Sequence, residues 1–345
     1  AGTNTVKAEL RDFNLSPVWK LLRPPFDLAS RATGSFTLSW NGAFDPLKIS
    51  GSARLNLVAT RQAPDASVLP VSGKLDAQLH PGRTLVNLES VSTLGSRLNG
   101  QFSLRSFREI EGDFRGNAPD VDALITQLSR FLGGSDNPTG AIKLKGPLQF
   151  NAHASGKLKG PTVSITSDVL ELQAGVLKHL SARAEGKIEG SQITFQGTIT
   201  LPESATVHAQ GGLDISGRAP VLDLDAHGHG IPAIAVVKMF DSTLPVSGNL
   251  NAQLHLGGTP DALSGYASIA GDDLSLYREP LGRLDIDLRL ADKEIQSKQC
   301  TLLNDPLNPA SGRIDAQFTY ALDSDRFQFQ AGGKDLQLKR LALPN

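Results

Sequence analysis

The sequence predicts a mostly β protein: an elongated, curved antiparallel sheet with an apolar trough along one face and short helices at repeat boundaries. Three observations predict it. Short runs that alternate apolar and polar residues follow one another almost from end to end, the signature of strands with one greasy and one wet face. One such run is written twice, LPVSGKLDAQLH at 69–80 and LPVSGNLNAQLH at 244–255, with a looser copy, SGRIDAQF, at 311–318. Only one stretch, 121–132, makes a convincing helix.

Residues 6–15 alternate and stop at Ser16-Pro17, where a serine N-cap and a proline in the first turn open a short helix over 17–22, ended by Pro24-Pro25. Strands are then expected over 35–40, 47–49, 52–59, the first copy of the repeated run, 83–91 and 97–104, separated by turns such as Asn41-Gly42. Asp120 caps the clear helix, whose Val121, Leu124, Ile125, Leu128, Phe131 and Leu132 form an apolar stripe that Gly133-Gly134 ends. Strands resume over 141–145, 148–154, 162–166, 169–173, 177–185, 192–200, 206–215 and 221–226. A second helical segment, 231–240, has Pro232 near its first turn and is apolar almost all round. The second copy follows, then strands over 263–269, 274–277, 284–290, 294–302, 313–320 and 326–331, and 335–343 opens a further helix.

The helical segments begin at Leu15, Val121, Ile231 and Leu336, spaced 106, 110 and 105 residues apart, each after a short break: 12–14, 115–117, 228–230 and 332–334. That spacing predicts three repeat units, 1–119, 120–229 and 230–334, with 335–345 starting a fourth. The repeated strands lie 175 residues apart, which is not a multiple of this period.

The strands are clean amphipaths. Leu284, Ile286, Leu288 and Leu290 oppose Arg283, Asp285, Asp287 and Arg289, and Leu222 and Leu224 oppose Asp223 and Asp225. Two destinations for the greasy face are open: the packed core of a sandwich or barrel, or the floor of an open trough. About 20 strands are too many for one flat sheet, which favours strong curvature. With aromatics at only 6%, the inner face is aliphatic and lacks the bulk to fill a thick core, which also favours a trough. The candidate floor is Leu75, Leu79, Ile142, Leu144, Leu148, Phe150, Ile193, Phe195, Leu222, Leu224, Leu250, Leu254, Leu284, Ile286, Leu288, Ile314 and Phe318.

The spacing of Gly, Pro and Gly at 257, 260 and 265, recurring one residue longer at 42, 46 and 51, resembles the TamB and AsmA-like envelope proteins. So do Thr259-Pro260-Asp261-Ala262-Leu263-Ser264-Gly265 and Gly160-Pro161-Thr162-Val163. The resemblance covers the whole chain in style and spacing. It implies a taco-shaped repeating β-groove in the periplasm of a diderm bacterium, carrying phospholipid between inner and outer membranes. It also implies an inner-membrane anchor absent from these residues and an outer-membrane barrel assembly factor as partner. From its abrupt ends the chain is expected to be a piece of something longer, and its start does not read as a signal peptide.

No motif for chemistry stands out. With 34 basic and 35 acidic residues evenly spread, no nucleic-acid-binding field exists. Cys300 stands alone, which excludes internal disulfides and paired-cysteine zinc sites. No nucleotide or hydrolase fingerprint is present, so no catalytic residue and no cofactor is expected. His227-Gly228-His229 could put two imidazoles on one strand face, but no third ligand is marked and the segment reads as a turn, so no metal is expected. His80 and His255 hold equivalent places on the wet face and are expected in solvent, as are the pairs Asp223/Asp225 and Asp285/Asp287. A rival to the trough is an interaction scaffold that works through its polar face or a free strand edge.

Overall fold

The computed structural model describes residues 2–21, 26–131, 144–174, 177–202, 205–217, 219–239, 244–305, 312–324 and 326–335. Strands make up 73% of the described residues, so helices can cover only a small part of them. One antiparallel sheet of 20 strands, not closed into a barrel, holds all but two of the strands. The chain divides into two compact units. The first is Ala1–Ala174 with Glu185–Gly190, and the second is Gly175–Ala184 with Ser191–Asn345.

In chain order the first unit comprises β1 (Thr3–Asn14), α1 (Ser16–Leu21), β2 (Asp27–Leu28), β3 (Ser30–Asn41), a 3-10 turn (Pro46–Lys48), β4 (Ser50–Ala59), β5 (Val68–Leu69), β6 (Ser72–His80), β7 (Arg83–Thr93), β8 (Ser96–Arg105), β9 (Glu109–Ala118), α2 (Val121–Phe131), β10 (Leu144–Lys145), β11 (Leu148–Lys157) and β12 (Thr162–Ala174). Its main pairings run β1–β3–β4–β6–β7–β8–β9–β11–β12, a meander interrupted only by the two-residue β10, which pairs with the far end of β12 instead of with β9. Strands β2 and β5 pair in parallel as a separate ribbon. Near them an aromatic cluster gathers Trp19, Phe26 and Phe131, with centroids 5.4 and 6.0 Å apart, and the Trp19 indole donates to the Phe26 carbonyl.

Strand β13 (Leu177–Glu189) contributes to both units. The second then runs β14 (Gln192–Thr200), β15 (Thr206–Asp214), β16 (Val221–Pro232), α3 (Ala233–Met239), β17 (Val246–Thr259), β18 (Ala262–Leu276), β19 (Glu279–Ala291), β20 (Glu294–Leu303), β21 (Arg313–Ala321) and β22 (Arg326–Lys334). From β14 to β22 each strand pairs antiparallel with the next. Tight hairpins make this possible. Tyr277-Arg278 and Asp292-Lys293 both hold positive φ at two successive residues, the turn geometry whose twist matches that of the strands it joins.

Several expectations change. Of residues 47–49, the first two belong to a 3-10 turn, Pro46–Lys48, capped by the Asp45 side chain, and Ile49 follows it as the C-cap, so no strand forms there. The separate strands expected at 162–166 and 169–173 are one strand, β12, and those at 263–269 and 274–277 are one strand, β18. The segments expected to break the chain before each helix, 12–14, 115–117, 228–230 and 332–334, lie inside β1, β9, β16 and β22. Residues there that read as punctuation are absorbed by bulges or paired across the ladder. The register shifts between Leu10 and Phe13 and between Gly228 and Ile231, while Gly116 pairs with Phe150 without interruption. Helix α3 begins at Ala233, after Ile231 and Pro232 have paired as strand with Leu250 and Asn249. Leu22, Leu132, Gly133-Gly134, 141–143, Phe240 and 336–343 lie outside the described residues.

The repeated twelve residues have a local structural purpose. Gly73 in β6 and Gly248 in β17 have φ of +141° and +106°, and each faces a bulge in the next strand. At those bulges Ser90 and Asp273 adopt φ of 50° and 54°. A methyl on Gly73 would sit 2.7 Å from the Val91 Cα, and one on Gly248 2.8 Å from the Leu274 side chain. Ser-Gly therefore lets the strand start against a bulge that any larger residue would foul.

Candidate functional site

Antiparallel partners lie on the same face of a sheet, so register alone tells which side chains are neighbours. In the first unit Leu75 stands between Leu55 and Leu88, and Leu79 between Gly51 and Thr84. Phe150 faces Gly116, and Leu148 stands between Ala118 and Val169. Leu144 pairs with Ala174 at the end of β12. Phe36, Val86, Phe102, Phe114 and Ile165 complete this apolar face, although alternation alone did not place them in the floor. Ile142 lies outside the described residues.

The second unit assembles its face the same way. Ile193 meets Leu213, which meets Leu222; Phe195 meets Gly211, which meets Leu224. Leu254 lies between Ala226 and Ala267, and Ala267 meets Leu288. Ile269 meets Ile286, which meets Cys300, while Leu284 meets Leu302, which meets Ile314. Phe318 meets Phe329 on β22. The lone cysteine thus belongs to the apolar face, where burial pushes its thiol pKa up. Leu250 differs from the rest. It is buried with Ala233 and Leu274 beneath α3, with Leu284 packed at the margin, so this part of the face is covered by the protein itself. Its counterpart in the first copy, Leu75, is half-buried.

Glycines inside strands, not at turns, shape the surface. Added methyls show what occupies the space above them: the Phe150 ring lies over Gly116, the Phe114 ring 2.6 Å from the Gly100 position, and Leu250 2.6 Å from that of Gly271. Large side chains lie down across neighbouring glycines, which levels the face and fills its recesses. The sequence signal was present as glycine at alternating positions of β8, β9 and β18, but without register the aromatic partner could not be named.

Apart from Leu250, every described residue of the candidate floor is half-buried: neither sealed as in a packed core nor freely solvated. The accessible surface is 21761 Å², against about 13,500 Å² for a compact monomer of this mass and about 16,000 Å² for two separate compact halves. No Phe, Tyr or Trp is buried among the described residues.

The opposite face is polar and largely ion-paired. Arg54 holds Asp76 at 2.8 Å, Lys74 lies 3.7 Å from Glu89, and Arg283 grips Asp285 through two hydrogen bonds. Hydrogen bonding to Arg313 holds the Asp315 carboxyl below the usual range, with Thr301 adding to the effect. On this face of the first unit a recess of about 880 Å³ crosses seven strands, from Thr37 through Arg54, Gln78, Asn87, Gln101 and Asp113 to His153. His80 is exposed as expected, whereas His255 is half-buried, its Nδ1 2.9 Å from Asp225 and its ring stacked on Tyr266. The segment 227–229 is strand, not turn: His227 pairs with His208 at a ring separation of 5.1 Å, and His229 pairs with Thr206.

No protein-family model matches this chain, and no curated protein or solved structure matches it either.

Proposed function

We propose that this chain is part of a periplasmic bridge-like lipid-transfer protein, carrying phospholipid acyl chains along an apolar β-groove between inner and outer membranes. The observation that carries the proposal is the half-buried aliphatic face, assembled strand by strand in each unit. Two chains of about 16 carbons cost on the order of 20 kcal/mol to expose to water, at ~0.8 kcal/mol per methylene. Carriage therefore needs continuity of cover more than specific contacts, and a levelled floor without recesses suits that need. In this proposal the sheet curves as a taco-like groove, the short helices mark the ends of the units 1–119, 120–229 and 230–334, and 335–345 begins another. An inner-membrane anchor beyond residues 1–345 and a barrel assembly factor in the outer membrane complete the proposed bridge. The chain has no catalytic role and needs no cofactor.

Fluorescent fatty-acid probes of increasing length test it: binding should strengthen with each methylene, and probes should slow alkylation of Cys300 on the same face. Absence of length-dependent binding, together with unchanged Cys300 reactivity, would sink the proposal. A second reading is a scaffold that supports outer-membrane protein assembly through its polar face, and the 880 Å³ recess there favours it. That reading expects no acyl binding and sensitivity to Arg54→Ala rather than to changes on the apolar face.

A further inference from the structure

We propose that the polar face of β16 and β17 binds a divalent transition metal through Asp223, Asp225 and His255. The two aspartates alternate along β16 and so project from the same face, and the register sets His255 directly across from Asp225. The Nδ1 of His255 lies 2.9 Å from the Asp225 carboxylate and 3.9 Å from that of Asp223, and one ligand atom from each residue falls within 4.8 Å of the others. Around a zinc ion, neighbouring ligand atoms stand about 3 to 3.4 Å apart, so small side-chain rotations close the set.

Three features single this cluster out from the rest of the polar face. Several acids elsewhere on this face meet arginine or lysine, as Asp76 meets Arg54, Glu89 meets Lys74 and Asp315 meets Arg313, and Asp113 meets His153 at 2.8 Å, but among the described residues only here do two carboxylates and an imidazole converge. Asp223 and Asp225 have no lysine or arginine within ion-pair reach among the described residues, and one imidazole stands between two negative charges. The imidazole is also held in place, since its ring stacks on Tyr266 at 5.4 Å and 28°. Finally, Asp223 is flanked across both ladders by glycines, Gly212 and Gly257, where an added methyl would meet nothing closer than 3.6 Å. That leaves room for the ion and its waters. One nitrogen and two carboxylate ligands with open positions suit zinc and its first-row neighbours, whereas calcium and magnesium favour all-oxygen sets. Bound metal would pin β16 to β17 on the side opposite the apolar face.

Titration of the protein with zinc chloride, followed by calorimetry and by the ring resonances of histidine, tests the site. One zinc per chain should bind, shifting the His255 ring first, and excess magnesium should not displace it. Asp225→Asn and His255→Gln should each weaken binding about tenfold or more, while His208→Gln should leave it unchanged. These side chains are wholly or partly exposed, so the variants should fold, and matching circular dichroism spectra will show it. No saturable binding, displacement by magnesium, binding unaffected by both site variants, or loss in His208→Gln, which would move the metal to the neighbouring histidine pair, overturns the proposal.

Discussion

Leu288 and Asp287 are adjacent in β19 but face opposite ways, and the sheet makes them partners of different residues: Leu288 meets Ala267, and Asp287 meets Ser268. Leu288→Asp should therefore abolish acyl-probe binding in its part of the face without changing the far-UV spectrum, while Asp287→Ser should leave binding intact. Equal loss in both variants would remove the apolar face from the proposal. Leu250 and Leu254 share one strand and one face, yet α3 covers only Leu250. Leu250→Ala should cost about 2–5 kcal/mol in urea unfolding, and Leu254→Ala clearly less. Gly248 tests the bulge: with φ of +106° and the Leu274 side chain in the way, Gly248→Ala should cost about 1–3 kcal/mol. Gly257→Ala, with nothing nearer than 3.7 Å, should cost far less.

At the scale of elements, the N-terminus of α2 is held by a named side chain. The Asp120 side chain accepts from the Asp122 amide at 2.9 Å, so Asp120→Ala should lower stability by about 1 kcal/mol in a thermal melt of the first unit. The β20–β21 pair is tied by Asp315, whose carboxyl bonds Arg313 and Thr301. Because its folded pKa is lowered, this stabilisation is complete above the ordinary aspartate range and disappears as pH falls through the lowered value. Acid unfolding monitored between neutral pH and pH ~2 should therefore show a smaller stability loss in Asp315→Asn than in the native chain. An equal loss would remove Asp315 from the acid response. The outermost described strand, β22, is exposed along its whole length and carries Phe327 and Phe329 on one side.

For the molecule as a whole, the main choice lies between a packed core and an uncovered face. Burying the aliphatic face of a 345-residue chain in a sandwich would bring those side chains close to full burial, as happens at Leu250 beneath α3, whereas the other described residues of the candidate floor stay half-buried. The accessible surface exceeds that of a compact monomer of this mass. An apolar face of this extent must be covered in use, and hydrocarbon is the cover proposed.

Alternation by itself determined the strand content and which side chains share a side, because the period of a strand is two and Leu284, Ile286 and Leu288 obey it without help from other strands. Asp120 and the apolar stripe after it likewise announced α2 locally. What only the tertiary structure decided is everything that depends on register. It set the glycines of β9 and β18 under large neighbours and made strand of the supposed breaks, because ladder hydrogen bonds, from two flanking strands at β9 and β16 and from one at β1 and β22, outweigh the weak strand propensity of glycine and asparagine. It also covered Leu250 while leaving Leu75 half-open, although the two stand in nearly identical runs. And it carried His255, 30 residues away in sequence, to the two aspartates of β16, a neighbourhood that no local pattern encodes because ladder pairing, not chain distance, creates it.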